Sequence, residues 1–341
     1  MQERLWTRDF IIVFIFNFFI MLAMFLLMVT ISGYAIDEFG ISTSDAGLAA
    51  GIFIVGSLIG RIVTGHQLSL MGARKIMYIG TIMFIVTYGL YFFAGNFWML
   101  LIVRFFNGFA NGVATTAVGT IAALALPAKR RGEGIGYFSL SFVMATAIGP
   151  YLAFTLLEYV DYQMLFLLVF IVVLIASIFT IFIKTDNETI DLTKEPKPKF
   201  QFVDRDALPA ATTILIVCLA HSTIFSFIAL YADEQGLSAA AGYFFLVNAI
   251  VMLVTRPFTG RLMDRKGANI IVYPALAVLF AAYLVLGNAQ SGWMLLLAGG
   301  LIGLGYGNFQ SIIQALCIKL AEPKNVGLAT STFFICLDFG L

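Results

Sequence analysis

Charge is what this sequence has least of. Its 341 residues include twenty Lys and Arg and nineteen Asp and Glu, 11% in all, against about 25% in a typical soluble domain. With a net charge of +1, it carries no field that would draw it to nucleic acid. Cysteine is nearly absent. Cys218, Cys317 and Cys336 all fall in apolar runs without a Cys-x-x-Cys spacing, so neither a disulfide framework nor a cysteine metal site is expected. Paired carboxylates, a nucleophile triad and a metal-ligating cluster are also missing, which argues against an enzyme and against a resident metal or cofactor. A secretory leader is not evident either. The apolar run from Phe10 to Ile31 is too long for a signal-peptide core and lacks a small-residue cleavage pattern.

What is present is apolar: 61% of the residues are hydrophobic and 15% aromatic. A helix needs about 20 residues to cross roughly 30 Å of hydrocarbon. Runs of that kind predict spans near 10–32, 46–64, 75–94, 97–120, 134–157, 162–184, 208–231, 241–259, 270–287, 292–317 and 326–341. Barrel strands would be shorter and would alternate apolar with polar. The expected class is therefore an all-α membrane protein in a lipid bilayer. Trp6, Trp98 and Trp293 sit near helix starts, as interface anchors do.

The few charges are sorted by side. Arg4 and Arg8 precede the first span. Arg61, Arg74 and Lys75 mark the second turnaround, and Lys129, Arg130 and Arg131 the fourth. Lys184, Lys194, Lys197, Lys199 and Arg205 mark the sixth. Arg256, Arg261, Arg265 and Lys266 mark the eighth, and Lys319 and Lys324 the tenth. The odd-numbered turnarounds carry acids instead: Asp37, Glu38 and Asp45, then Glu158 and Asp161, then Asp233 and Glu234. Basic loops stay in the cytoplasm. A multi-pass protein of a bacterial-type inner membrane, with its N-terminus cytoplasmic, is expected.

The chain also repeats itself at an offset of 195 residues. Arg61, Thr64, Gly65 and Gly72 fall on Arg256, Thr259, Gly260 and Gly267, and Gly108 and Gly112 fall on Gly303 and Gly307. The charged, Pro-containing stretch near 185–207 separates a first half, 1–184, from a second, 208–341. Two six-helix halves with parallel repeats form a transporter architecture. On the repeat, the eleventh span starts at Gly327 and stops short of a counterpart to Gly149 and Pro150. This predicts an incomplete second half and a chain that transports poorly without a further helix.

These features resemble the major facilitator superfamily over the whole chain. The family's loop signature, Gly-x-x-x-Asp-Arg/Lys-x-Gly-x-Arg/Lys-Arg/Lys, is approached by GHQLSLMGARK, where Gly65, Gly72, Arg74 and Lys75 match and Ser69 replaces the Asp. It is approached again by GRLMDRKGANI, where Gly260, Asp264, Arg265 and Gly267 match. The resemblance implies that these loops latch the halves together in the outward-facing state. The plain alternative is a pair of solvated turnarounds that only fix topology. ATAIGPY resembles the exporter element of helix 5, with Gly149 and Pro150 in place, and Pro150 permits a bend. RFFNGFANGVATT resembles the family's arginine-containing helix 4.

Within the spans, Arg104 and Asp338 are the charges expected far from water, where a charge costs about 2.5–3.5 kcal/mol on insertion scales. Arg104, Asn107 and Asn111 share one helix face. That face either lines a cavity that binds a polar or anionic group and modulates proton transfer, or holds an arginine that snorkels outward. Asp338 is either a proton-coupling carboxylate or one half of a structural pair. His221 is a proton relay or a helix-to-helix donor. Gln310 and Gln314 bind substrate or join helices. Taken together, the expected function is proton-coupled export of a small drug-like or amphipathic molecule by a monomer, driven by the proton gradient without a cofactor. The alternatives are an uptake symporter for a sugar, organic acid or peptide, and a non-transporting or decayed membrane protein.

Overall fold

The computed structural model describes residues 5–185 and 201–340. Most of the expected linker, with its lysines at 194, 197 and 199, lies outside the described residues. Among those residues every regular element is helical: α1 (Arg8–Phe39), α2 (Thr43–Met71), α3 (Ala73–Leu90), α4 (Phe97–Leu124), α5 (Arg131–Leu157), α6 (Tyr162–Thr180), α7 (Leu208–Glu234), α8 (Ser238–Lys266), α9 (Asn269–Gly287), α10 (Gly292–Leu320) and α11 (Val326–Gly340). A helix satisfies its own backbone, which is what a segment in hydrocarbon must do. Among the described residues, nine of these helices are long and apolar enough to cross a membrane. Helix starts carry side-chain caps where the sequence supplies them, with Ser42 on α2, Asn96 on α4 and Asp161 on α6.

The spans read from hydropathy all correspond to helices, but several helices run further. α2 continues past 64 to Met71, and α8 past 259 to Lys266. Both stop at a glycine with positive φ, Gly72 at 86° and Gly267 at 88°, a conformation that any side chain would strain. The extra turns correct the placement of two arginines. Arg61 and Arg256, expected at turnarounds, lie inside their helices and are 6% and 1% exposed. Arg61 precedes the end of α2 by ten residues, roughly 15 Å at 1.5 Å per residue. α10 also departs from expectation. Its Gly303–Gly307 stretch forms a π-turn, which a Gly-rich GLGYG segment tolerates. α5 stays one unbroken helix through Pro150.

Buried apolar residues form two clusters, one drawn mainly from α1–α6 and the other mainly from α7–α11. Inside the first group, α2 and α4 meet backbone to backbone. A Cβ on Gly108 or Gly112 would collide with the main chain at Phe53 or Ser57, and one on Gly56 or Gly60 with that at Phe105 or Phe109. Small residues four apart permit such close approach in membranes. Gly108→Ala is therefore expected to destabilise the protein by about 1–3 kcal/mol through overpacking. Gly47→Ala, where a Cβ would meet nothing within 4 Å, serves as the control. Thermal unfolding in detergent decides it, and equal midpoints for the two variants would refute the packing argument.

The contacts that join the groups gather near the basic turnarounds, called here the basic end. α2 packs on α11, and α5 on α8. Asp204 ties the start of the second group to α11, its N–H donating to Thr332 Oγ1 at 2.8 Å. Its carboxylate caps α7 by accepting from Ala207 N–H at 2.9 Å, and burial raises its pKa above the ordinary carboxylate value.

Candidate functional site

The seam between α2 and α11 holds a buried ion pair. Arg61 Nε donates to Asp338 Oδ2 at 2.6 Å, and the two side chains are 7% and 13% exposed. Arg61 Nη1 donates to Thr115 Oγ1 of α4 at 3.1 Å, and the guanidinium lies 4.5 Å from the centre of the Phe334 ring. Ser57 Oγ donates to Asp338 Oδ2 at 3.4 Å and accepts from Asn111 Nδ2 at 3.4 Å. A turn nearer the basic end, Ser331 Oγ donates to the Arg61 carbonyl at 2.7 Å, and Gly65 lets that contact form. Asp338, from the second group, is thus held by side chains of the first.

The α5–α8 seam is its counterpart by the 195-residue repeat. Here Asp264 accepts from the backbone N–H groups of Gly132 and Glu133 at 2.8 and 2.9 Å, at the first turn of α5. Free N–H groups and the helix dipole make that end a natural seat for a carboxylate. Glu133 in turn accepts from Arg130 at 2.9 Å and from Arg261 at 2.7 Å, so it joins the groups as well as pairing locally. A Cβ on Gly260 would meet the backbone of Gly132 and Glu133. In the first-half loop, Ser69 stands where Asp264 stands in the second, and its hydroxyl turns back to the His66 carbonyl at 2.9 Å. Leu68 packs on Gly327 in that seam instead. Gly72 and Gly267 close their helices, Lys75 and Arg265 are exposed, and Arg74 is half-buried beside them.

Arg256 takes the place of Arg61 in this seam. Its Nε donates to the Gly307 carbonyl at 3.1 Å, Nη1 to the Ser139 carbonyl of α5 at 2.8 Å, and Nη2 to Gln310 Oε1 at 3.1 Å. It lines a narrow cavity, partly open to solvent, between α5, α7, α8 and α10. His221 lines the same cavity, its ring stacked on Tyr306 with centroids 3.6 Å apart. Asn248 also faces it and donates to the Gly299 carbonyl at 3.2 Å.

The structure therefore distributes the expected site residues. Asp338 and Asn111 meet at the α2–α11 seam. His221 and Gln310 meet at the cavity, whereas Gln314 is buried beyond its lining. Arg104 reaches neither place. At 1% exposure it does not snorkel; it donates to the Ala49 carbonyl at 2.8 Å and to Tyr91 Oη at 3.3 Å, binding α4 to its neighbours. Asn107 supports this by donating to Thr87 Oγ1 at 3.0 Å. Gly149 faces Phe25 of α1, where a Cβ would lie 2.6 Å from the Phe25 Cβ. Sequence reasoning missed Arg61 and Arg256 as interior residues. The available signal was their recurrence, each before Thr and Gly, eleven residues ahead of the helix-closing glycine.

Repeated helical groups joined along two equivalent seams, with a cavity lined by both, define a secondary transporter rather than an enzyme. The Major Facilitator Superfamily profile matches residues 13–341, and the chain belongs to that family. A multi-drug resistance efflux pump PmrA homolog from Lactococcus lactis subsp. lactis (strain IL1403) is 24% identical, over 98% of this chain and 86% of its own length. The crystal structure of the human organic anion transporter MFSD10 shares the fold with a TM-score of 0.79 at 16% identity, covering 98% of this chain and 90% of that one. That of the E. coli fucose:proton symporter FucP does so with a TM-score of 0.74 at 15% identity, covering 99% and 90%.

Proposed function

We propose that the protein exports a small molecule across a bacterial-type cell membrane in exchange for protons. The observation that carries this reading is the Arg61–Asp338 pair. A titratable carboxylate on one group holds a fixed cation on the other, deep in the bilayer region and at the seam that must part if the basic end is to open. A proton on Asp338 would cancel its charge and release Arg61. The efflux-pump relative supports export over uptake. Because basic loops face the cytoplasm, the basic end is assigned to that side, and the cavity then opens outward. Alternating access follows as each seam parts in turn, powered by the proton gradient without a cofactor. A single chain supplies both seams and the cavity, so a monomer suffices.

Inverted membrane vesicles test this. An imposed gradient, acid inside, should drive accumulation of members of a dye and metabolite panel, and a protonophore should abolish it. Accumulation that ignores the gradient, or that runs only with proton flow in the same direction, would refute proton-coupled export.

A further inference from the structure

The two seams differ in their loops, at Ser69 and Asp264, and differ again beside their buried arginines. Each carries a buried arginine, Arg61 in α2 and Arg256 in α8. The repeat that superimposes these arginines also carries Asp338 of α11 onto Val143 of α5. Arg61 therefore has its carboxylate, and Arg256 has a valine where the carboxylate would be. All the bonds to the Arg256 guanidinium come from neutral acceptors, the carbonyls of Gly307 and Ser139 and the amide of Gln310. Among the described residues no Asp or Glu pairs with it, and none lines the cavity above it. A guanidinium carries its charge at neutral pH, and its planar fork has N–H groups beyond those three bonds. A buried charge without a counter-charge is costly, and an anion delivered to it recovers that cost.

We infer that Arg256 is the docking point for the anionic head of the transported molecule, a carboxylate on a small apolar body. This rests on the transport reading above and narrows its substrate class. The walls suit such a body: Phe142, Phe244, Phe245 and Met252 supply apolar surface, while Thr146 and Asn248 supply neutral polar groups. The same walls offer a cationic molecule no counter-charge. Arg256 also spans the seam through its bond to the Ser139 carbonyl. A carboxylate that captures the guanidinium competes with that bond and loosens the α5–α8 seam from the cavity side. The substrate then does for one seam what a proton does for the other.

Three probes with one apolar body separate the cases: 1-pyrenebutyrate, its neutral primary amide, and the matching trimethylammonium compound. Binding is measured by fluorescence on the full chain in nanodiscs of zwitterionic lipid, with empty nanodiscs subtracted. The carboxylate should bind at least about tenfold more tightly than the amide, as a charge-assisted bidentate contact implies, and the cation should bind most weakly. Arg256→Gln should erase that preference while the amide still binds. Val143→Asp keeps the arginine but gives it the partner Arg61 has, and should erase the preference too. Amide binding confirms that each variant is folded, and Val143→Asp decides alone if Arg256→Gln fails to fold. Equal binding of carboxylate and amide by the unmodified protein overturns the inference, as does a preference that survives these variants. Those results leave gradient-driven transport of neutral dyes untouched. Conversely, an intact anion preference without gradient-driven transport would overturn the transport reading and leave the site standing.

Discussion

Asp338→Asn is expected to reduce gradient-driven transport on the order of a hundredfold, equivalent to roughly 3 kcal/mol at about 1.4 kcal/mol per tenfold, while downhill exchange persists. The reason lies in what the variant leaves behind. Asn has nearly the shape of Asp but no charge to lose, so proton occupancy no longer changes the grip on Arg61. The guanidinium, left with Thr115, the Phe334 ring and a neutral amide, becomes an uncompensated buried charge. Breaking such a pair from one side costs roughly 3–5 kcal/mol. The double variant Arg61→Gln, Asp338→Asn removes both charges and should recover most of that stability. It should not recover gradient-driven transport. Transport measured against thermal stability across the unmodified protein, the single variants Asp338→Asn and Arg61→Gln, and the double variant separates the roles. Should the double variant regain proton-driven rates along with its stability, the pair is a structural support and another group carries the proton.

The second large effect concerns the α5–α8 seam. Asp264→Ala withdraws a carboxylate that accepts from two backbone N–H groups at the start of α5. Hydrogen bonds to a charged group contribute roughly 1.5–3 kcal/mol each. Their loss should shift the balance toward an open basic end by about tenfold or more. Leu68→Cys, placed in the other seam in a background with Cys218, Cys317 and Cys336 replaced, reports on the whole end rather than on α5 alone. Leu68 is 1% exposed, so labelling by an impermeant thiol reagent requires the seam to part. Faster labelling on top of Asp264→Ala is the expected result. Unchanged labelling would mean that only the first turn of α5 loosens. Ser69→Asp offers the converse, since it places a carboxylate in the first-half loop where the Ser69 hydroxyl now donates to the His66 carbonyl.

Hydropathy alone located the helices, because a spanning segment must be apolar along its whole length. It failed at α2 and α8, where the helix continues through polar residues that would ordinarily mark an end. Arg61 and Arg256 were misplaced for the same reason: near the edge of an apolar run, a basic residue ordinarily belongs to the loop. The 195-residue repeat pointed to both seams without revealing them. It aligns Gly65 with Gly260 and Ser69 with Asp264, yet gives no information on which helix of the other group lies opposite. Arg61 and Asp338 are 277 positions apart, and no periodicity within one helix sets its azimuth against another so distant. Arg104 shows the limit from the other side. Its polar face was legible, but its partners, Tyr91 and the Ala49 carbonyl, belong to its own group rather than to a cavity.

The glycine contact between α2 and α4 has a mechanical consequence. Helices separated by side chains can slide as rotamers change. Where main chain rests on main chain, no such compliant layer exists, and the pair behaves as one stiff beam. Arg61 on α2 and Thr115 on α4 tie the two members of that beam together by their own hydrogen bond. A displacement of Arg61 therefore has to move α2 and α4 together. Any rearrangement then has to fall at the seams between groups, where hydrogen bonds and ion pairs rather than a continuous glycine stripe hold α2 to α11.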